Sequence, residues 1–133
     1  MNTEPRVVAD PPLPSDSARA RRATADFLAR HCPWADLDAV LLVVSELVSN
    51  AVQHTAGWWR LHLAAAQDTL VVEIDDSSPA IPVSREPDFS GSGGFGWHMV
   101  HQLAGKVEIS PLPCGKRVQA TWVRKIPAPA PAC

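Results

Sequence analysis

Four polar residues recur along one side of a long apolar segment, namely Glu46, Asn50, Gln53 and His54. Residues three and four apart are neighbours on a helix, so a helix would align these side chains in one stripe. A carboxylate and an amide one turn apart in apolar surroundings need partners, because burying them unpaired is costly. The stripe therefore predicts a carboxylate that handles a proton or a water and an amide oxygen that holds a metal ion, both facing a cleft. A solvated polar edge is the alternative interpretation.

The helix that carries this stripe is predicted from an apolar run that begins near Leu37. At about 100° per residue, one broad face collects Leu37, Val40, Leu41, Val44, Leu47, Val48, Ala51 and Val52. Leu42 and Val43 lie along the polar stripe, so the helix is apolar almost all the way round. We expect protein or ligand to cover most of it. Asp36 or Asp38 opens the helix, and residues 55–57 end it.

Two acidic residues, Asp75 and Asp76, follow a strand-like run that starts at Thr69. An acidic residue just past a strand end, facing a cleft, is a usual place for a specificity group such as the acceptor for the amino group of a base. The alternative is a plain turn over residues 75–79, in which Asp and Ser side chains bond their own backbone.

A glycine cluster at residues 91–96 leads directly into the apolar run 97–104. Glycines permit close backbone approach, and a following helix offers free N–H groups to an anion. The polar segment 79–90 before the cluster has the length and composition of a lid or binding loop. Lys116 could reach a phosphate, and a lysine in solvent at the start of a strand is an equal alternative. His98 and His101 lack a third ligand nearby, which favours packing or surface roles.

The remaining elements follow from periodicity and capping residues. A first helix runs from the capping candidates Ser15, Asp16 and Ser17 to about His31, where residues 32–33 end it. Alternating residues predict four strands, at 58–65, 69–75, 106–110 and 116–124, the first two joined by a turn at Gln67 and Asp68. Helices and strands are segregated along the chain, which predicts an α+β two-layer sandwich with three helices on one face of a mainly antiparallel sheet.

Composition limits the class of protein. The 133 residues provide for one domain with a sizeable core, 46% are hydrophobic and the net charge is −2, which does not favour nucleic acid as a partner. We expect a flexible segment at 1–14 that adds an edge strand at most, an ordered domain at 15–125 and a Pro/Ala-rich tail at 126–133. Three unpaired cysteines, no membrane span and no signal peptide predict a soluble cytoplasmic protein.

The order of these motifs resembles the GHKL ATPase superfamily (the Bergerat fold), and within it the bacterial anti-sigma-factor kinases of the RsbW and SpoIIAB type. Residues 45–54 resemble the family's N box, 72–79 its first glycine box and 93–100 its second. The resemblance spans about residues 18–123. Three motifs in the family's order and spacing are far more specific than any one of them.

The resemblance implies a role for each matching position. Glu46 would be the general base, Asn50 would bind the Mg²⁺ that bridges the phosphates of ATP, and His54 would stand at the edge of this site. Asp76 would accept the adenine amino group, and the nucleotide-binding set would also include Ser78, Gly93, Gly94, Gly96 and Lys116. Phosphoryl transfer needs mainly positioning and charge neutralisation from a protein, which such residues supply.

The resemblance also implies partners, and it leaves two functions open. Members of the family phosphorylate a serine on an anti-anti-sigma protein and otherwise sequester a sigma factor, commonly as homodimers. Two positions depart from the family pattern, since Ser77 stands where glycine is usual and Phe95 where arginine is common. The first hypothesis is an ATP-dependent serine/threonine protein kinase that regulates transcription by partner switching. The second is a degenerate module that binds a partner with weak ATP binding or none.

Overall fold

One antiparallel sheet forms the base of the fold, and the helices lie on it. The computed structural model describes residues 6–9, 16–54, 58–78 and 95–125, which contain three helices and five strands. In chain order these are β1 (Arg6–Ala9), α1 (Asp16–His31), α2 (Leu37–His54), β2 (Trp59–Ala66), β3 (Thr69–Asp76), α3 (Phe95–Leu103), β4 (Lys106–Leu112) and β5 (Gly115–Val123). The strand order is β1-β2-β3-β5-β4. Because α1 packs on β1 and β2, α2 on β2 and β3, and α3 beside β4, the predicted two-layer α+β sandwich is confirmed.

Side-chain alternation in β3 decides which residues face the helices. Leu70, Val72 and Ile74 are almost completely buried. Successive side chains of a strand point to opposite faces of the sheet. Asp76 therefore continues the face that the helices cover, whereas its neighbour Asp75 belongs to the other face.

The β2–β3 hairpin has the predicted turn at Gln67 and Asp68, and its strands begin and end within one residue of the predicted positions. The edge strand that the N-terminal sequence allows is present as β1, which pairs antiparallel with β2. Strands β4 and β5 pair antiparallel as well, and their bounds also lie close to the predicted ones. Predicted features outside the described residues are the lid at 79–90, the glycines at 91–94, the helix stop at 55–57 and the tail at 126–133.

The central helix α2 buries most of its predicted apolar face, including Val40, Val44, Leu47, Val48 and Ala51. The sequence pattern predicts that protein or ligand covers most of the helix, and the described residues cover one side of it. Among the described residues, α1, α3 and the sheet contact α2 and leave its outward side uncovered. This side exposes Leu37, Leu42 and Val52 by 42%, 47% and 54% respectively, whereas Val43, which the sequence pattern placed on the polar stripe, is fully buried.

Helix α2 begins after Asp36, whose Oδ1 accepts a hydrogen bond from the Ala39 N–H at 3.2 Å. The Asp36 carbonyl also accepts from the Val40 N–H at 3.0 Å, which starts the helical ladder. Asp36 is therefore the N-cap, one of the two predicted capping residues. It satisfies a backbone donor that the first turn of a helix leaves without an internal partner.

Removing this cap is expected to lower the stability of the fold. Asp36→Ala should reduce the free energy of unfolding by about 1 kcal/mol, the usual contribution of an aspartate N-cap. Urea denaturation followed by tryptophan fluorescence measures the change. Asp38→Ala is the matched control, because Asp38 lies in the first turn of the same helix. An equal loss in both variants would contradict the assignment of Asp36 as the cap.

Other features bear on the class of protein. None of the helices in the described ranges is long and apolar enough to cross a membrane. Cys32 and Cys114 are free thiols within those ranges, the first buried and the second exposed. Burial raises the pKa of the Cys32 thiol, so it packs as an apolar side chain.

Candidate functional site

The end of β3 carries a buried ion pair between Asp76 and Lys116, which are register partners on β3 and β5. The Lys116 Nζ lies 3.1 Å from Asp76 Oδ1 and 3.0 Å from Oδ2, and it also donates to the Ser78 carbonyl oxygen at 3.2 Å. The two side chains are only 5% and 3% exposed. The interpretation of Lys116 as a lysine in solvent is therefore wrong, because its ammonium group is buried against the carboxylate of its cross-strand partner Asp76.

The backbone around Asp76 is held from both sides. Ser77 N–H donates to the Trp58 carbonyl at 3.0 Å, and the Trp58 N–H donates to Ser77 Oγ at 3.2 Å. The Ser78 N–H donates to Asp76 Oδ1 at 2.9 Å. The alternative of a plain turn predicts this bond from the Ser78 N–H to the Asp76 side chain. In the structure the Asp76 carboxylate also pairs with Lys116. The carboxylate is thus fixed before any ligand arrives.

Gly115 makes this arrangement possible, and no pattern in the sequence distinguishes it from other glycines. A Cβ atom built on Gly115 would lie 1.8 Å from the Asp76 carbonyl oxygen and 2.9 Å from the Ser77 Cα. Its φ of 158° is also one that residues with a side chain rarely adopt. Only glycine lets β5 approach the end of β3 closely enough to place Lys116 on Asp76.

The opposite face of the sheet carries a second charged group around Asp75. Arg117 donates to Asp75 from Nε at 2.8 Å and from a terminal guanidinium nitrogen at 2.9 Å, and its Nε lies 3.3 Å from Glu73 Oε1. The bidentate hydrogen bond to Asp75 raises the pKa of Arg117. Gln119 donates to Glu73 at 2.9 Å. These contacts fix the β3–β5 register, and they explain why Asp76, not Asp75, is the residue on the side of α2.

The polar stripe of α2 carries the other predicted site residues. Glu46 and Asn50 are half-buried, and within the described part of the chain neither side chain has a hydrogen bond or an ion pair. Such groups retain their full capacity to accept, and oxygen ligands of this kind suit Mg²⁺. His54 lies at the end of α2, but its side chain is outside the described residues.

The predicted glycine cluster at residues 91–96 leads into α3, and the start of this helix is described. The helix begins at Phe95, two residues before the predicted start, and includes Gly96 in its first turn. A helix start presents N–H groups without intrahelical partners. Gly93 and Gly94 precede the helix directly and are outside the described residues, as are the side-chain surroundings of Phe95.

Other candidate residues have structural or surface positions. Trp59 is buried in the core, as expected for a packing residue, whereas Trp58 is 40% exposed with the Arg60 guanidinium 5.9 Å from its ring centroid. His98 and His101 are exposed, and the His101 ring packs against Trp97 at 4.8 Å. Arg21 and Arg22 are exposed on α1. The described ranges hold no group of three or more His, Cys, Asp or Glu residues that could bind a metal.

The residues present fit a nucleotide and its metal ion. Asp76 Oδ1 accepts two hydrogen bonds and Oδ2 accepts one, so Oδ2 has a free lone pair for one more donor. Glu46 and Asn50, which have no partner among the described residues, lie on the helix that packs over β2 and β3, on the face of the sheet to which Asp76 belongs. The donor set therefore has a carboxylate for a base amino group and separate oxygen atoms for a cation.

Comparison with known proteins identifies the family and the fold. The model of a protein family described as "Histidine kinase-like ATPase domain" matches residues 11–122. The fold is similar to a crystal structure of the RsbU and RsbW domains of Rv1364c from Mycobacterium tuberculosis, with a TM-score of 0.64 and 19% identity over 93% of this chain and 34% of that one. It is also similar to the histidine kinase domain of the E. coli osmosensor EnvZ, with a TM-score of 0.50 and 13% identity over 95% and 93% of the two chains.

At these identities the two likenesses show the fold alone. The chain spans about a third of the first of these structures, that is 34% of its length. No curated protein sequence gives a significant match.

Proposed function

The chain belongs to the family of histidine kinase-like ATPase domains, and on that premise we propose that it is an ATP-dependent protein serine/threonine kinase of the anti-sigma-factor type. The observation that carries the proposal is the pair Glu46 and Asn50 on α2, which are half-buried and have no partner within the described residues. A module that only binds proteins has no need of a carboxylate and an amide one turn apart on a helix that packs on the strand of a second, buried carboxylate. A phosphoryl-transfer site needs such groups.

In this proposal the nucleotide contacts the end of β3 and the polar stripe of α2. Asp76 Oδ2 accepts a hydrogen bond from the adenine amino group, with Ser78 beside it. Asn50 Oδ1 would hold Mg²⁺, which would neutralise charge on the phosphates, and His54 would stand at the edge of the same site. Gly93, Gly94 and Gly96 would provide the phosphate-binding backbone that leads into α3.

The proposed reaction is transfer of the γ-phosphoryl group to a hydroxyl group. The serine Oγ of the partner attacks the γ-phosphorus, the bond from that phosphorus to the β–γ bridging oxygen breaks, and ADP leaves. Glu46 takes the hydroxyl proton as the Oγ–P bond forms. Since the protein forms no covalent bond, its contribution is to hold the hydroxyl and the phosphate in line and to accept one proton.

The family and the likeness to a structure with an RsbW domain support partner switching in a bacterial cytoplasm. We therefore propose a serine or threonine of an anti-anti-sigma protein as the acceptor and a sigma factor as the alternative partner, with the chain acting as a homodimer. The resulting activity would regulate transcription without contact to nucleic acid or membrane.

A second candidate function is a degenerate binding module with weak ATP turnover or none. The observation that favours it is the engagement of both Asp76 oxygens by Lys116, together with Ser77 and Phe95 at positions where the family resemblance leads us to expect glycine and arginine. In this case the same scaffold binds a partner protein, and ATP acts as an effector only.

One assay separates the two functions. The full chain is incubated with γ-³²P-labelled ATP, Mg²⁺ and purified candidate anti-anti-sigma proteins, and phosphoserine is located by mass spectrometry. The kinase predicts label on a serine or threonine of one partner, lost when EDTA removes Mg²⁺. Complex formation with a partner that remains unlabelled would contradict the kinase and favour the module.

A further inference from the structure

The buried pair of Asp76 and Lys116 has a consequence for the choice of base. We infer that Lys116 is a positioning residue that selects adenine, because its ammonium group donates to both oxygens of the Asp76 carboxylate and holds that carboxylate in an orientation that accepts hydrogen bonds only. This inference rests on the proposed ATP binding at Asp76. It assigns Lys116 to the base end of the nucleotide, whereas the sequence alone allowed a contact to phosphate.

The hydrogen bonds of Lys116 leave no donor for a phosphate. A lysine ammonium group has three N–H donors, and in this structure they are directed at Asp76 Oδ1, Asp76 Oδ2 and the Ser78 carbonyl oxygen. With the side chain only 5% exposed, a phosphate could be reached only by breaking these bonds and exposing the Asp76 charge. The ammonium group is therefore committed to the carboxylate.

The remaining capacity of Asp76 is for a donor. An ionised carboxylate has no proton to give, and Oδ2 has one bond, from Lys116, within the described part of the chain. The 6-amino group of adenine is a donor, whereas the 6-oxo group of hypoxanthine or guanine is an acceptor. Facing an oxo group, both oxygen atoms would be buried without a proton between them, which is unfavourable.

A purine with a 6-oxo group also presents an N–H at its N1 position, and a mobile carboxylate could turn to meet it. Asp76 is not mobile in this way, because Lys116 engages both of its oxygens and the Ser78 N–H donates to one of them. The contacts that pair the Asp76 carboxylate with a cation thus also fix its orientation toward the base. A purely structural ion pair would lack this effect on the choice of base.

Removing the cation changes the chemistry of the carboxylate. Burial disfavours the charged form of a carboxyl group when no opposite charge is near. Without Lys116 we expect Asp76 to take up a proton, and the resulting O–H can donate to a 6-oxo group. Loss of Lys116 should therefore weaken ATP binding and at the same time strengthen binding of inosine triphosphate (ITP), which differs from ATP in its base alone.

The experiment compares ATP and ITP by isothermal titration calorimetry, each with Mg²⁺, on the full chain. The variants are wild type, Lys116→Met, Lys116→Arg, which retains the charge, and Lys106→Met. Lys106 is a matched control because it is an exposed lysine on β4, with a side chain that is 66% exposed. Circular dichroism establishes that each variant is folded.

We expect the wild type to prefer ATP by at least about tenfold, as for one unsatisfied buried polar group. Lys116→Met should reduce the preference to within about threefold with tighter ITP binding, whereas Lys116→Arg and Lys106→Met should retain it. A structural defect would instead weaken both nucleotides together, because it would damage the pocket without changing which groups can donate.

The opposing results are distinct. An unchanged ATP preference in Lys116→Met, or equal affinity of the wild type for ATP and ITP, would overturn the inference while ATP binding stands. If the wild type binds neither nucleotide, the proposed function itself fails and the inference fails with it. If Lys116→Met does not fold, Lys116→Gln, whose amide can still donate, replaces it, and the same ratio decides.

Discussion

The Glu46→Gln variant is expected to transfer phosphate about 100- to 10,000-fold more slowly than the wild-type chain, the usual contribution of a general base, while binding ATP with unchanged affinity. Glutamine keeps the size and hydrogen-bonding shape of the side chain and removes only its ability to take a proton. Since Glu46 has no ion pair or hydrogen bond within the described part of α2 and its surroundings, the substitution breaks no contact known to stabilise the fold. Initial rates of transfer from labelled ATP to the unphosphorylated partner protein measure the effect.

The control for this variant is Glu108→Gln, the same chemical change at an exposed position on β4. It should transfer phosphate at the wild-type rate. Retained transfer by Glu46→Gln would remove Glu46 from the role of base. Loss of both ATP binding and phosphoryl transfer would show that Glu46 holds the nucleotide and does not handle the proton.

Gly115→Ala is expected to lower the free energy of unfolding by about 3 kcal/mol and to abolish ATP binding in the fraction that folds. The added methyl group would lie 1.8 Å from the Asp76 carbonyl oxygen, so β5 must move away from the end of β3. That movement separates Lys116 from Asp76 and breaks the buried ion pair. Urea denaturation gives the change in stability, and calorimetric titration with ATP gives the change in binding.

Gly105→Ala is the matched control in the same sheet. A Cβ atom at Gly105 would be 3.0 Å from the Thr121 carbonyl oxygen and 3.9 Å from the Trp122 Cα, which requires a shift of only a few tenths of an ångström. We expect a loss of less than about 1 kcal/mol with ATP binding retained. Similar losses at both glycines would contradict the special role of the contact between Gly115 and Asp76.

The local elements were predictable from sequence because their causes are local. The alternation of Leu70, Val72 and Ile74 determines the burial of β3, and the polar pair Gln67 and Asp68 determines its hairpin turn. The same holds for α1, whose end follows from the proline after Cys32. The resemblance to a known family added the order of the motifs, and the family match confirms that resemblance.

The contacts around Asp76 could not be predicted, because they depend on which distant strands meet. Lys116 lies 40 positions after Asp76 in the chain. No pattern within either strand predicts that β5 pairs with β3 in this register. The close approach at Gly115 follows from the same pairing, so a turn glycine and a packing glycine look alike in sequence. Exposure of Leu42 and Val52 likewise depends on which side of α2 faces away from the sheet.

The central claim is that the end of β3 and the polar stripe of α2 form an ATP site, and calorimetric titration of the full chain with ATP and Mg²⁺ tests it most directly. We expect saturable binding with a dissociation constant in the range of about 1 μM to 1 mM. A folded Asp76→Asn variant should lose this binding. Its amide presents an N–H to the adenine amino group in one of its two orientations, and it lacks the negative charge that pairs with Lys116. No heat and no thermal stabilisation of the wild type at millimolar ATP would contradict the account and leave the chain as a protein-binding member of its family.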